Sequence, residues 1–432
     1  MIPLMKTSDS ESKARFDKIM NRSQLDCEAE LASVKAIIKA VREQGDAAVF
    51  QFTKRFDRAD IHADTIRVTD AEIDEAYSKV DDKLLEVIRR AKANIQAFHE
   101  LQKPKDIQLK IEDGMVGQRV LPIERAGVYV PGGRAAYPSS VLMNVIPAKV
   151  AGVKEIIMVT PPFEDGSIYY MTLVAAKEAG VDKIYKVGGA QAVAALAFGT
   201  ESIPKVDKIV GPGNIYVALA KREVFGYVGI DMVAGPSEVL IIADESANPE
   251  YCAADLLSQA EHDPMAAAIF LTDCEDLAQK VQSEVMRQME ELPTKETCKE
   301  STEACGGIIV VADMDEAVKL ANQIAPEHLE LAVKEPESLL PKIKNAGAIF
   351  MGEYSPEPLG DYYAGPNHVL PTSGTARYAS PLGVYDFVKR SSIINYQKKA
   401  LERVYKDVVD FATSEGLYAH AASARRRFEE ES

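Results

Sequence analysis

Six histidines occur in the 432 residues, and four of them, His262, His328, His368 and His420, lie in polar or glycine-bearing segments of the second half. The other two, His62 and His99, read as incidental. In Ser258-Gln259-Ala260-Glu261-His262-Asp263-Pro264, Gln259 and His262 are three apart, so on a helix their side chains share one face at its C-terminal end. That geometry suits two ligands of one metal, and it equally describes a polar helix end with a solvated histidine. Ala325-Pro326-Glu327-His328 sets a carboxylate beside an imidazole behind a proline that fixes its own φ and biases Ala325 away from helix. The pair is expected at the start of a helix, either as acid-base chemistry or as an ordinary Pro-Glu first turn. In the loop Gly360 to His368, Asp361 is a candidate oxygen ligand, or the centre of an Asx-type turn followed by a surface histidine. Glu415 and His420, five apart, serve one site or decorate an exposed helix end. Two imidazoles, one aspartate oxygen and one amide oxygen suit zinc better than magnesium or calcium, which favour all-oxygen shells. Spacing alone does not show that these segments converge.

For a nucleotide the candidates are Pro131-Gly132-Gly133, Gly188-Gly189-Ala190-Gln191 and Gly211-Pro212-Gly213-Asn214, each near a strand end where backbone N–H groups can approach phosphate. The third fails the dinucleotide fingerprint, because Tyr216 stands where the last glycine of GxGxxG belongs. Tight strand-to-helix turns account for the same glycines.

The elements that must position these groups are legible in outline. Val34, Ile37, Ile38 and Val41 recur at helical spacing between about Ser23 and Asp57, and Thr69-Asp70-Ala71-Glu72 reads as a capping box. After Glu112, short β-branched runs end in glycine and lead into alanine-rich helical stretches, the texture of parallel β-α units. Strands are expected at 155–159, 183–187 and 208–210, then in a second set at 239–243, 268–271, 307–311 and 348–351. From Pro381 on such units are lacking, and an Arg-rich helical stretch runs from Ala422 to Glu430. At 432 residues the chain exceeds the usual size of one core. Its 66 acidic against 50 basic side chains, a formal charge of -16, argue against nucleic acid and anionic membranes as partners. The N-terminus has no apolar stretch of signal-peptide length and no run of about 18 apolar residues occurs, so a cytoplasmic protein is expected. Five scattered cysteines without CxxC spacing read as reduced thiols.

Read together, Gly127-Val128-Tyr129-Val130-Pro131-Gly132-Gly133, Val187-Gly188-Gly189-Ala190-Gln191-Ala192, Gly211-Pro212-Gly213-Asn214, Ala234-Gly235-Pro236-Ser237-Glu238, Leu257 to His262, Ala325 to His328 and Gly360 to Thr372 resemble the histidinol dehydrogenase family along almost the whole chain. The resemblance implies an α/β fold of two incomplete Rossmann-like domains, with a helical N-terminal segment and a C-terminal appendage exchanged in a dimer. The expected partition is an arm at 1–22, a first domain at 23–128 plus 238–380, a second at 129–237 and a dimerisation segment at 381–432. The resemblance further implies one zinc per subunit on Gln259, His262, Asp361 and His420, completed by the imidazole and amino nitrogens of L-histidinol. Glu327 and His328 would be the catalytic pair in an oxidation through the aldehyde to L-histidine that reduces two NAD. Ser237, His368 and Glu415, with His328 and the zinc ligands, would contact substrate, and Tyr129, Gln191 and Asn214 would contact NAD. In the homodimer, Glu415 and His420 would complete the partner's site. No cysteine lies in these segments, so the aldehyde is expected to be oxidised by water and a carboxylate rather than through a thiohemiacetal. The resemblance leaves two competitors, a zinc dehydrogenase for another small alcohol and a catalytically silent binding protein.

Overall fold

The computed structural model describes residues 2–9, 16–17, 19, 27–132 and 137–428. The chain divides into two compact units, Met1–Gln102 with Ile123–Phe387, and Lys103–Pro122 with Val388–Ser432. The first unit is a mixed α/β structure with two parallel sheets. One sheet has five strands, ordered in space Lys183–Lys186, Glu155–Thr160, Arg125–Tyr129, Lys208–Val210 and Gly229–Ile230. The other has six, ordered Leu4–Lys6, Gly307–Val310, Ala267–Thr272, Glu238–Ala243, His328–Ala332 and Ala348–Met351. Counted from Arg125 in the first sheet and from Glu238 in the second, both run 3-2-1-4-5, the reversal of direction that defines a doubly wound sheet. Helices cover both faces, which is why Glu238–Ala243 and Ala267–Thr272 are buried along their whole length and read as unbroken apolar runs. Every strand expected from the sequence is present.

The helices follow the local signals. Gly45, with φ 54, separates Glu28–Gln44 from Asp46–Phe56, and Val34, Ile37, Ile38 and Val41 are the buried stripe of the first. Thr69 and Glu72 form the expected capping box on Asp70–Lys79. The packing partner of these helices departs from the expected partition. Val34, Ile37 and Val49 share a core with Tyr129, Ile157 and Ile209, and Ile88 and Ile95 of the helix Asp82–Glu100 share one with Val128 and Ile156. The N-terminal helices therefore belong with the five-stranded sheet, not with 238–380. Their apolar stripes state that a face is buried but carry no information about which sheet buries it. The boundary between 128 and 129 likewise runs through the strand Arg125–Tyr129.

The second unit is a three-stranded antiparallel sheet in which Gly114–Pro122 lies between Ile107–Ile111 and Val388–Tyr396. Two helices, Lys398–Ser414 and Tyr418–Arg425, meet through Val409, Ala421 and Ala424. The Arg-rich stretch is thus helical to Arg425, and Glu429 and Glu430, like Gly133 and Ser23 to Asp26, lie outside the described residues. Among the described residues no helix is long and apolar enough to cross a membrane.

Candidate active site

The helix Met314–Ile324 stops at Ala325, whose backbone is left-handed with φ 51 and whose N–H bonds to Ala321 O. After Pro326 the chain enters the strand His328–Ala332, so Glu327 and His328 open a strand and not a helix. Leu329 and Leu331 alternate into one core, and this period of two overrides the helical reading of Pro-Glu. The strand pairs His328 with Val239 and Ala348. Both members of the pair are fixed by one residue at the amino end of the neighbouring strand. The Glu238 N–H donates to Glu327 Oε2 at 2.9 Å, and His328 Nδ1 lies 2.9 Å from Glu238 O. A carbonyl only accepts, so Nδ1 carries the hydrogen and Nε2 presents a bare lone pair. That Nε2 is buried without a hydrogen-bond partner, 3.7 Å from Glu357 Oε1, while Glu327 Oε2 is 3.8 Å from Nδ1.

Asp361 was expected in a loop but lies on a short helix, Glu357–Tyr362, which the prolines at 356 and 358 favour at its start. Glu357 and Asp361, four apart, share one face. The Glu357 N–H donates to Glu330 Oε1 at 3.0 Å, and its carboxyl is 3.4 Å from Ser258 Oγ. One ligand atom from each of His328, Glu357 and Asp361 falls within 4.8 Å of the others. His368 Nδ1 sits 3.4 Å from Asp361 Oδ1. Gln259 lies in the helix Pro249–Ala260, buried, with its Oε1 lacking a partner. His262 falls just beyond that helix, where its N–H bonds to Gln259 O and continues the turn. Its Nδ1 bonds to Ser258 O at 2.9 Å, again leaving Nε2 bare. Ser237 precedes Glu238 at the same strand end. Glu415 and His420 belong to the second unit, at the end of Lys398–Ser414 and within Tyr418–Arg425, and both are exposed there.

Burial dominates the electrostatics. It holds His328 down, to about 4, against the charge of Asp361 and the bond to Glu238 O, with His368 and His262 adding to the fall. It pushes Glu327 well above the carboxylate range, helped by the charge of Glu238. Glu357 is pushed up to about 9 by burial and then by Asp361. Burial opposes ionisation of Asp361 too, yet the hydrogen bond and charge of His368, with His328 and Glu357, hold that carboxyl below its ordinary value. The cluster therefore contains one neutral imidazole, one ionised carboxylate and two carboxyls raised toward the proton-sharing range.

A cavity of about 1480 Å³ opens at the opposite kind of edge, the carboxyl ends of the five-stranded sheet. Tyr129 ends one strand there and Thr160 another, while Gln191, in the first turn of the helix Gly189–Phe198, and Asn214, capping the helix Ile215–Val224, follow two more. The N-terminal helices supply the facing wall, and Tyr362, next to Asp361, also lines the cavity. The Tyr129 hydroxyl accepts the Gly189 N–H at 3.1 Å. Both amide atoms of Gln191 are buried without partners. Asn214 Oδ1 is already engaged as a helix cap, accepting from the N–H groups of Tyr216 and Val217.

Three residues to which the sequence reading gave no role belong to this picture. Glu357 was detectable as a carboxylate four before Asp361. Asp57, in the cavity wall, had no local signal. His99, read as incidental, is buried with Nδ1 2.7 Å from Ile95 O and Nε2 3.3 Å from Asn367 Nδ2, and so braces the segment that carries His368. Its strut role rests on a contact 268 residues away along the chain.

The sequence model of the family described as histidinol dehydrogenase matches residues 20–428. A histidinol dehydrogenase of Heliobacterium mobile is 54% identical over 414 residues, covering 96% of this chain and 97% of the relative. That of Listeria innocua is 53% identical over 429 residues, covering 99% of this chain and all of the relative. The crystal structure of histidinol dehydrogenase from Elizabethkingia anophelis superposes with a TM-score of 0.92 at 38% identity, covering 99% of this chain and 98% of that one. With fold, motif order and near-complete coverage in agreement, the chain belongs to the histidinol dehydrogenase family.

Proposed function

We propose that this enzyme oxidises L-histidinol through L-histidinaldehyde to L-histidine, reducing two NAD, with one zinc per subunit, in histidine biosynthesis. The observation that carries the reading is the bare, buried Nε2 of His328, with a ligand atom of Asp361 within 4.8 Å of a His328 ring nitrogen, while the Oε1 of Gln259 is likewise buried without a partner. A buried acceptor without a donor is costly unless something electrophilic meets it. The Gln259 amide oxygen, the His262 Nε2 and the Asp361 carboxylate form a mixed N/O donor set that fits zinc, and the Nδ1 bond of His262 to Ser258 O fixes the tautomer such a ligand requires. Bound there, the metal would hold the substrate's nitrogens in position, and NAD bound in the cavity would take the hydride of each oxidation.

The chain's own residues supply the proton chemistry. His328, neutral and donating through Nδ1 to Glu238 O, takes the alcohol proton on Nε2 as the first oxidation proceeds. Glu327, anchored by the Glu238 N–H, acts in its ionised form, which burial makes the stronger base, and takes a proton from the water that adds to the aldehyde carbon. His328 then serves again as base when the hydrated aldehyde is oxidised to the acid. Tyr129 and Asn214 stand at and just after the ends of the two strands between which the order of the five-stranded sheet reverses, the place where a doubly wound sheet takes its cofactor, and Gln191, after the outer strand Lys183–Lys186, lines the same cavity. The lack of GxGxxG fits a cofactor held in an incomplete Rossmann-like unit.

The fourth zinc ligand, His420, and the substrate contact Glu415 are proposed to come from a partner subunit, in a homodimer that exchanges the C-terminal segment. The exposed apolar side chains of the second unit, Ile394 at 76%, Phe411 at 71% and Tyr418 at 71%, support a covered face there. The test of the function is NADH absorbance with L-histidinol, with and without chelator. Two NADH per histidinol and loss of rate on removal of the metal are expected. Fewer than two at completion, or full rate after verified zinc removal, would contradict the proposal.

A further inference from the structure

We infer that Asp57 receives the vicinal hydroxyls of the adenosine ribose of the dinucleotide, and thereby selects a free 2′-hydroxyl over a 2′-phosphate. The inference rests on the reading of the cavity as the NAD site. Asp57 follows the helix Asp46–Phe56, its N–H bonded to Thr53 O at 2.9 Å, and Arg58, with φ 59, turns the chain away. This leaves the carboxyl in the cavity wall with Oδ2 buried and without a partner. The neighbouring cations are occupied elsewhere: Arg58 pairs with Glu164 at 3.0 Å, and the Arg55 guanidinium lies 5.3 Å over the Phe56 ring. Burial pushes the Asp57 carboxyl up to about 6, in keeping with an Oδ2 that has no donor.

A carboxylate only accepts, so whatever satisfies it must bring hydrogens. Vicinal hydroxyls bring two at matching spacing, which is how an acidic residue recognises ribose in other doubly wound sheets. In those sheets the acid stands at the end of the second strand. Here that strand, Glu155–Thr160, runs into Pro161-Pro162-Phe163, and the next acid, Glu164, is exposed and paired with Arg58. The N-terminal helices that cover this sheet supply Asp57 instead. The end of the dinucleotide follows from the hydride. Nicotinamide has to reach a substrate beside His328 and Asp361, and Tyr362, which feels the charges of Asp361 and Glu357, marks that end of the cavity. Asp57 acts instead on Tyr129, beside Gly189 and Gln191. A 2′-phosphate at this position would bring a second anion against a buried carboxylate.

Isothermal titration of the zinc-loaded enzyme with NAD, its 2′-deoxyadenosine analogue and NADP tests this, using wild type, Asp57→Asn, Asp57→Ala and Gln191→Ala. Wild type is expected to bind the deoxy analogue about tenfold more weakly than NAD, and NADP more weakly still. Both Asp57 variants should bind NAD about tenfold more weakly than wild type, lose discrimination against the deoxy analogue, and narrow the gap to NADP, with zinc content unchanged. If Asp57→Ala still discriminates against the deoxy analogue as wild type does, the ribose assignment is overturned. If Gln191→Ala leaves NAD affinity unchanged, the cavity reading itself falls. If Gln191→Ala weakens NAD while Asp57→Ala does not, only the role of Asp57 falls.

Discussion

The two parallel sheets of the first unit share one strand order and use opposite edges. The five-stranded sheet opens its cavity at the carboxyl ends of its strands, where Gly132, Gly189 and Ala190 are among the lining residues. The six-stranded sheet gathers its reactive groups at the amino ends of Glu238–Ala243 and His328–Ala332, beside the C-terminal end of Pro249–Ala260. The chemical contents differ accordingly. The cavity is walled by aromatic, proline and aliphatic side chains with few ionisable groups, Asp57 among them. The amino edge packs Glu327, His328 and Glu357 into buried positions beside a half-buried Asp361, where their proton affinities are pulled apart. Strand order thus places ends and crevices, while the side chains at an edge decide what chemistry it can carry.

The sharpest way to break this division is His328→Ala. It should slow the chemical step by about 10²–10⁴-fold while zinc content and NAD affinity stay at wild-type values, read by stopped-flow, metal analysis and titration calorimetry. A wild-type rate would remove His328 from the mechanism, and a loss of NAD affinity would show that the two edges are not chemically separate.

A second test asks whether the amino edge is complete in one chain. His262→Asn and His420→Asn should each lose zinc and activity as homodimers, and mixing them should restore part of both in heterodimers that hold one intact site. No recovery after demonstrated subunit exchange would count against the shared site.

The smallest effect is expected at Cys252. It is buried in the helix Pro249–Ala260 and its thiol is pushed up, first by burial and then by Asp255, away from the reactive thiolate. Cys252→Ala should still yield two NADH per histidinol at a rate within about twofold of wild type, since burial alone is altered. Loss of the second oxidation with zinc and fold intact would reinstate a thiol route.

How much of this was legible in the sequence differs from residue to residue. The capping box at Thr69, the stripe of Val34 to Val41 and all the expected strands were local signals, and local geometry honours them because a period of 3.6 or 2 is a property of the backbone. Glu327 and His328 were visible as a pair but assigned to the wrong element. Proline gives the same prefix to a helix and to a strand after a left-handed cap, and only the Leu329 and Leu331 alternation separates them. Asp361 was visible as a ligand type, yet its partner Glu357 gains meaning only once a short helix puts the two on one face.

By itself, the sequence determined the identity of the elements, the two sets of β-α units, the acid and imidazole residues available, and, through its motifs, the family. Tertiary structure alone decided that the N-terminal helices wall the cavity, that one peptide residue, Glu238, sets the tautomer of His328 and the orientation of Glu327, and that His99 braces a loop 268 residues away. The physical reason is common to all three. Burial and hydrogen-bond partnership are properties of groups brought together across the fold, and neither spacing nor composition records which distant backbone atom a side chain will meet.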